Sequence, residues 1–318
     1  MLKVFFTVDT EIWCGGWDDL DSKFPAAYRR YVYGPTRYGD YALPFTLKVL
    51  NDHGLRGVFF VEPLFATRFG EEPLREVVGL ILDAGQEVQL HLHTEWVDEA
   101  LEPLLPGVSE KRQNLRQFSR ADQTKLIRTG LELLRRTGAE GINAFRAGNF
   151  GANLDTLFAV RESGLDFDSS YNGALDTSDI ANGRLLTQPQ IIAGVAEYPV
   201  SLYRDLGPTS VRPMNLTACS FKEMTRVLCS AVECHWDSVV IVSHNFELLN
   251  NRKDRPDPIV VRRFRSLCRF LERHADLFAV RGFRGLEPPS ERAQPEPLRS
   301  RRWLTAGRFA EQLARRAF

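Results

Sequence analysis

The chain lacks an excess of charge of either sign. Its 318 residues include 41 Lys and Arg and 41 Asp and Glu, so its formal net charge at pH 7 is +0. Proteins that bind the phosphates of nucleic acids carry an excess of Lys and Arg. The equal numbers of basic and acidic residues here therefore disfavour a nucleic-acid partner. The composition, 43% hydrophobic and 26% charged, is ordinary for a soluble globular protein of a length that fits one α/β barrel.

Long hydrophobic runs and paired cysteines are also missing from the sequence. No run of about 18 apolar residues occurs, so no membrane-spanning helix is predicted. The apolar start of the chain is interrupted by Lys3 and followed by Asp9, which disfavours a signal peptide. The five cysteines are odd in number and form no Cys-x-x-Cys motif, which indicates reduced thiols. We therefore expect a cytoplasmic protein.

Apolar strand patterns alternate with amphipathic helical patterns along most of the chain. Strands are predicted at 3–9, 57–62, 87–93, 143–146, 165–168, 238–243 and 278–280, and helices at 43–53, 73–84, 122–136, 154–162, 221–234 and around 260–271. The Gly- and aromatic-rich segment 14–41 is predicted to be a long loop. Repeated strand–helix units predict a parallel sheet, and their number favours a barrel or a large open sheet.

The C-terminal part of the chain differs in composition from the rest. Residues 1–285 carry the strand–helix pattern, residues 286–299 are rich in proline and polar residues, and residues 300–318 form a basic amphipathic pattern. The middle segment is interpreted as a linker and the last one as a helix. Such a helix either packs on its own domain or lies on an anionic membrane as a peripheral contact.

Ionisable residues stand at the ends of five predicted strands. The segment EVQLHLHTEW alternates polar and apolar residues, which places His91 and His93 on one face of a strand, where two imidazoles can share a metal ion. The other strand ends carry Asp9 with Glu11, Arg146, Asp168 and His244. Because the carboxyl ends of parallel strands meet at one edge of a sheet, we expect these groups to gather there.

The order of these segments resembles the polysaccharide deacetylases of carbohydrate esterase family 4, the NodB-homology group. The resemblance rests on TVDTE at 7–11, the His-rich strand, FRAGNFG at 145–151, DSSY at 168–171, and an apolar strand ending in His244. It implies a distorted (β/α) barrel of about seven parallel strands. It also implies hydrolysis of an N- or O-acyl group with a divalent metal, for which Zn²⁺ is expected.

The resemblance assigns a role to each strand-end residue. Asp9 matches the general base, and Arg146 matches the arginine that orients this aspartate. His244 matches the histidine that protonates the departing amine and helps to hold the oxyanion. Asp168 lies where the family often has a carboxylate near that histidine, and a structural hydrogen bond near Ser169 is the alternative role.

Two positions depart from the family pattern, and both concern the metal. Thr10 replaces the second aspartate of the first motif, so Glu11 is the nearest substitute. Glu95 stands where the second motif has its second histidine, and His93 is an additional imidazole. The ligand set is therefore His91 with His93, or His91 with Glu95, completed by Glu11 or Asp9. Weak metal binding, or none, is the further alternative.

The expected substrate follows from the predicted location. A cytoplasmic enzyme of this kind would act on an N-acylated amino sugar, carrying acetyl or formyl, or on its nucleotide- or lipid-linked precursor. Peripheral contact with the inner face of the membrane would involve the C-terminal helix. The same residues also fit an amidase, metal-dependent or metal-independent, that acts on a small cytosolic amide or ureide. A non-catalytic carbohydrate-binding protein derived from such an enzyme is the remaining alternative.

Overall fold

Strands form where β-branched and aromatic residues run together. A computed structural model describes residues 1–207, 210–290 and 294–316. In it, the segments LKVFFTVDT, GVFFV and SVVIVSH are strands that are buried over nearly their whole length. Strands covered on both faces lack polar alternation, as expected in a parallel sheet.

Strands and helices alternate over much of the described chain. The strands are β1 (Leu2–Thr10), β2 (Pro35–Thr36), β3 (Gly39–Asp40), β4 (Gly57–Val61), β5 (Glu87–Leu92), β6 (Ala144–Ala147), β7 (Phe167–Asp168), β8 (Gln190–Ile192), β9 (Val195–Glu197), β10 (Leu202–Arg204), β11 (Val211–Pro213), β12 (Ser238–His244), β13 (Phe278–Val280) and β14 (Leu298–Arg299). The helices are α1 (Leu20–Tyr28), α2 (Leu43–Asp52), α3 (Ala66–Phe69), α4 (Glu72–Asp83), α5 (Arg120–Arg136), α6 (Leu154–Glu162), α7 (Phe221–Glu233), α8 (Pro258–Arg273) and α9 (Arg302–Arg316).

The main sheet has nine strands within the described residues and is mostly parallel. It contains β1, β4 to β9, β12 and β13, and each parallel pairing requires a crossover connection, which helices supply in most cases. This architecture confirms the predicted α/β class and the distorted (β/α) barrel. Contacts divide the chain into unit 1, Met1–Gly57 with Leu202–Arg281 and Pro297–Phe318, and unit 2, Val58–Ser201 with Gly282–Glu296.

Unit 1 is built around β1. This strand pairs in parallel with β12 on one side and with β13 on the other. The β1–β12 register aligns Val8 with Ser243 and Asp9 with His244, so the two strands end together. A separate small sheet joins β11, β10 and β14, and β2 and β3 form a short hairpin. The carboxyl ends of β1 and β12 thus present their polar residues side by side.

Unit 2 contains a run of parallel strands in the order β4, β5, β6, β7 and β9, with β8 antiparallel at its edge. Its register aligns His91 with Arg146 and Phe145 with Asp168. Because successive strand ends are level, the side chains predicted at these ends lie on neighbouring strands. Helix α5, which begins at the cap Ser119, covers this sheet with its apolar face.

The segment predicted as a long loop, 14–41, is not one. It contains α1, a π-helical turn at Arg29–Tyr33 and the β2–β3 hairpin. Buried Leu20, Phe24 and Ala27 recur at helical spacing. That signal was obscured by Gly15, Gly16 and the aromatic residues around it. The short strands between 190 and 213 were also not predicted from the sequence. A strand of three residues is too short to show an alternation of polar and apolar side chains.

The C-terminal helix α9 packs on the rest of unit 1 through one face. Leu304, Thr305 and Arg308 are buried, whereas Trp303 is 60% and Leu313 is 65% exposed. No described helix is long and apolar enough to span a membrane. Peripheral membrane contact by the exposed face stays a prediction. Residues 317–318 of the predicted helix and 291–293 of the predicted linker lie outside the described residues.

Arg308 holds α9 in place through a buried ion-pair network. Its guanidinium donates to Asp205 at 2.7 Å and to Glu223 at 3.1 Å, and the two carboxylates are fully buried. Arg308→Ala would leave two buried carboxylates without this partner, so we expect a loss of about 3 kcal/mol or more in the free energy of unfolding. Urea unfolding should show it, whereas the exposed control Arg301→Ala should change stability by less than about 0.5 kcal/mol. Equal midpoints for the two variants would contradict this role.

Candidate active site

Asn245 joins the ends of β1 and β12 through hydrogen bonds of its side chain. Its side-chain oxygen accepts from the Glu11 amide at 3.2 Å, and its Nδ2 donates to the carbonyls of Glu11 at 3.2 Å and Tyr31 at 2.7 Å. The Glu11 carboxylate accepts from Trp13 Nε1 at 2.8 Å. Asp9 and Glu11 are both buried. Asn245 therefore fixes the backbone of Glu11, and Trp13 orients its carboxylate.

His244 is held as an imidazolium by Glu247. Its Nδ1 lies 2.8 Å from Glu247 Oε1. Burial lowers the pKa of this histidine, but the hydrogen bond and charge of Glu247, with the charges of Glu11 and Asp9, outweigh burial and raise it to about 9. Below that pH the ring carries a proton that it can give to a leaving group. Glu247, which follows the strand in a loop, was not predicted from the sequence.

Glu247 is in turn fixed by its own hydrogen bonds. It accepts from Ser243 Oγ at 3.1 Å, from Asn215 Nδ2 at 3.2 Å and from Thr217 Oγ1 at 3.4 Å. These donors orient the carboxylate. The position of the carboxylate that contacts His244 is therefore determined by the surrounding protein.

In unit 2, the two histidines of β5 are oriented by different partners. His91 Nδ1 lies 2.8 Å from the Arg146 carbonyl, and His93 Nδ1 lies 3.2 Å from Glu95 Oε2. A carbonyl only accepts, so His91 donates from Nδ1. The carboxylate of Glu95 likewise accepts from Nδ1 of His93. In both rings Nε2 is therefore the nitrogen left for a metal ion.

Glu95, predicted as a possible metal ligand, contacts His93 and Asn149. Its Oε1 accepts from Asn149 Nδ2 at 2.8 Å. The carboxylate–histidine contact is the usual arrangement behind a metal-binding histidine. Direct ligation by Glu95 stays a prediction.

Glu62 lies buried in the same unit and was not identified from the sequence. Burial raises its pKa to about 8, against the effect of the Leu64 and Phe65 amides that donate to it. The charge of His93 lowers this pKa and that of Glu95 raises it. Glu62 therefore belongs to the electrostatic surroundings of His93.

Arg146 is fully buried and anchored to the strand beside it. Its Nε and Nη2 donate to the Ser169 carbonyl at 3.0 Å and to Ser169 Oγ at 2.9 Å, and its guanidinium lies 4.3 Å from the centre of the Phe60 ring. These contacts hold the cation in one conformation. Its predicted action on Asp9 stays a prediction.

Asp168 accepts hydrogen bonds from the turn that follows it. The Ser170 amide and Oγ donate to its carboxylate at 2.9 and 2.8 Å. It also shares a hydrogen bond with buried Glu197, whose pKa is raised well above its usual range by burial and by the charge of Asp168. A protonated Glu197 donating to Asp168 explains how two carboxyl groups share one buried place. These contacts agree with the structural alternative for Asp168, and its catalytic role stays a prediction.

His91 and His93 of unit 2 are the candidate metal centre, and Glu11 of unit 1 stays the predicted third ligand. All three side chains are buried. Two imidazoles with one carboxylate are the donor set of many catalytic zinc sites, in which a fourth position stays open. The orientation of both imidazoles fits this purpose. The residues present are therefore suited to a divalent cation.

The fold is similar to several solved structures. Neither the protein-family models nor the curated proteins give a match to this chain. A candidate polysaccharide deacetylase from Mycobacterium smegmatis matches with TM-score 0.56 and 18% identity over 92% of this chain and 94% of that chain. A family 4 carbohydrate esterase from Streptomyces lividans in complex with acetate matches with TM-score 0.43 and 12% identity over 87% and 90%.

A structure with a different activity matches as well. The 4-alpha-glucanotransferase from Thermococcus litoralis has TM-score 0.52 and 11% identity, over 89% of this chain and 39% of that chain. The likeness to the mycobacterial protein confirms the fold that the sequence resemblance implied. Because one fold serves several chemistries, the function has to be argued from the site residues.

Proposed function

We propose that this protein is a metal-dependent hydrolase that removes an acetyl or formyl group from the nitrogen of an amino sugar or its precursor. The observation that carries the proposal is the pair of buried imidazoles of His91 and His93, each oriented by a hydrogen-bond partner at its Nδ1. The fold shared with a candidate polysaccharide deacetylase supports the same class of reaction.

In the proposed mechanism, the protein supplies an acid and a base. Asp9 lies opposite His244 in the register of β1 and β12 and would take a proton from the attacking water. His244, protonated through Glu247, would donate a proton to the departing amine. Arg146 would act on the orientation of Asp9. Zn²⁺ or another divalent ion held by Glu11, His91 and His93 would provide a Lewis acid for the acyl carbonyl and the water.

The cellular setting is part of the proposal. A cytoplasmic enzyme would meet sugars before export, as nucleotide- or lipid-linked precursors. The exposed face of α9, with Trp303 and Leu313, would support peripheral contact with the inner membrane face.

Release of acetate or formate from N-acylated amino sugars tests the activity. We expect release by the protein loaded with Zn²⁺, a loss of at least about tenfold after chelation, and recovery when the ion is returned. An N-acyl amide without a sugar, and a ureide, serve as comparison substrates. Ureide hydrolysis that is insensitive to chelation would contradict the proposal and favour the amidase. Zn²⁺ binding without hydrolysis of any substrate would favour a carbohydrate-binding protein.

A further inference from the structure

Six arginines line two neighbouring cavities in unit 1. A cavity of about 830 Å³ is lined by Arg37, Arg252 and Arg255, together with Tyr38 and Asp254. A second cavity, of about 380 Å³, is lined by Arg262, Arg265 and Arg269. Pro256 and Pro258 line both, so the two cavities adjoin. Volumes of this order suit a small-molecule ligand.

The larger cavity is formed by segments that follow the strands of the candidate active site. Arg37 and Tyr38 lie at the tip of the β2–β3 hairpin, which follows β1. Arg252 and Arg255 lie in the loop that follows β12 and begins just after His244. In parallel sheets, segments that follow the carboxyl ends of strands bind substrates. This placement relates the cavity to the ends of β1 and β12, where Asp9 and His244 stand.

Positive charge predominates in the lining of these cavities. Among the described lining residues, a carboxylate is supplied by Asp254 alone, and it accepts a hydrogen bond from Asn250 Nδ2 at 2.8 Å. Within the described part of the chain, Arg252, Arg255, Arg262 and Arg269 have no ion-pair partner. The whole chain has a formal net charge of +0, so this patch is a local concentration of positive charge.

The arginines of α8 are arranged on one ridge. Arg262, Arg265 and Arg269 are exposed and separated by three and four positions, so they are neighbours on the helix surface. Like charges at this spacing destabilise a helix. A bound anion would relieve this repulsion, and arginine forks match the oxygens of phosphate groups.

We propose that these two cavities, named here the arginine cavities, bind the diphosphate group of a nucleotide- or lipid-linked amino sugar. This inference rests on the proposed function, because it identifies the class of substrate that the deacylating site would receive. The concave shape favours a compact diphosphate over a flat anionic surface. Tyr38, which is 60% exposed beside Arg37, offers a ring face next to the cations.

Calorimetric titration of the full chain with inorganic pyrophosphate tests the proposal. We expect binding that weakens as salt rises, and an affinity at least about tenfold lower in Arg252→Gln/Arg255→Gln. The control Lys125→Gln/Arg135→Gln removes two exposed cations from α5 and should bind like the unaltered protein. Absence of binding, or equal weakening in both double variants, would overturn the proposal.

The source of the diphosphate is distinguished by two further probes, UDP and geranyl diphosphate. Tighter binding of UDP than of pyrophosphate supports a nucleotide-linked substrate, and tighter binding of geranyl diphosphate supports a lipid-linked one. Equal affinities support recognition of the diphosphate alone. Binding to phosphatidylglycerol vesicles that depends on Arg252 and Arg255 but is not displaced by pyrophosphate would overturn the proposal in favour of a membrane surface.

The test also separates this inference from the proposed function. Pyrophosphate binding without acyl release from any N-acyl sugar would leave the arginine cavities in place and refute the deacylase. Acyl release without pyrophosphate binding would support the deacylase and refute the arginine cavities as a diphosphate site. If both hold, Arg252→Gln/Arg255→Gln should raise KM for a diphosphate-linked substrate by at least about tenfold, which a general loss of structure would not do selectively.

Discussion

The variant His91→Ala is expected to lose bound Zn²⁺ and to release acetate or formate at least about 100-fold more slowly than the unaltered protein. His91 and His93 are buried with ring centres 4.8 Å apart, and Glu11 is the predicted third ligand. With alanine, one imidazole and one carboxylate would remain, which is one ligand fewer than catalytic zinc sites have. Elemental analysis of the purified protein, with acyl release measured in parallel, checks both parts.

A second histidine provides the control for this measurement. His53 is partly exposed and pairs with Glu272 at 2.7 Å, so His53→Ala removes an imidazole without touching the candidate metal centre. It should keep about one ion per chain and full activity. Because His91 is buried, thermal unfolding of both variants should be compared. A folded His91→Ala protein that retains its metal would refute the assignment of His91 as a ligand.

The strands that end in candidate site residues could be predicted because their sequences follow simple patterns of polar and apolar residues. Alternation in EVQLHLHTEW placed His91 and His93 on one face, and both are buried with ring centres 4.8 Å apart. The run of apolar residues before His244 predicted the strand that pairs with β1. The assignment of Glu11 as a third ligand could not be derived from a period and stays a prediction. It came from the family resemblance as one of several ligand sets.

The partners behind these residues could not be predicted, for physical reasons that differ. Glu247 contacts His244 from a loop, and a loop has no periodic sequence pattern from which its geometry could be predicted. Glu197 meets Asp168 across 29 residues, from a strand of three residues. Glu62 is held by the amides of Leu64 and Phe65, a local cap that resembles many structural turns. Such partners determine protonation states, yet only the folded chain brings them together.

Replacing Glu247 is expected to change the pH dependence of the reaction. The hydrogen bond and charge of Glu247 contribute to raising the His244 pKa from 6.5 to about 9. A protonated His244 is present below this pKa and is lost as pH rises through it, so it would set a basic limit near pH 9. In Glu247→Gln the pKa should fall, and the basic limb of kcat/KM against pH should shift to lower pH. An unchanged limb would contradict the link between Glu247 and His244.

The variant His244→Gln should reduce release of acetate from an N-acetyl amino sugar by about 10²- to 10⁴-fold, because the amine would then leave without a proton. An ester with a 4-nitrophenolate leaving group needs no such proton, so its hydrolysis should fall much less. Measuring kcat/KM for both substrates separates proton donation from a structural defect, which would slow both equally. Equal losses would show that His244 supports the fold or the oxyanion and that the departing amine takes its proton elsewhere.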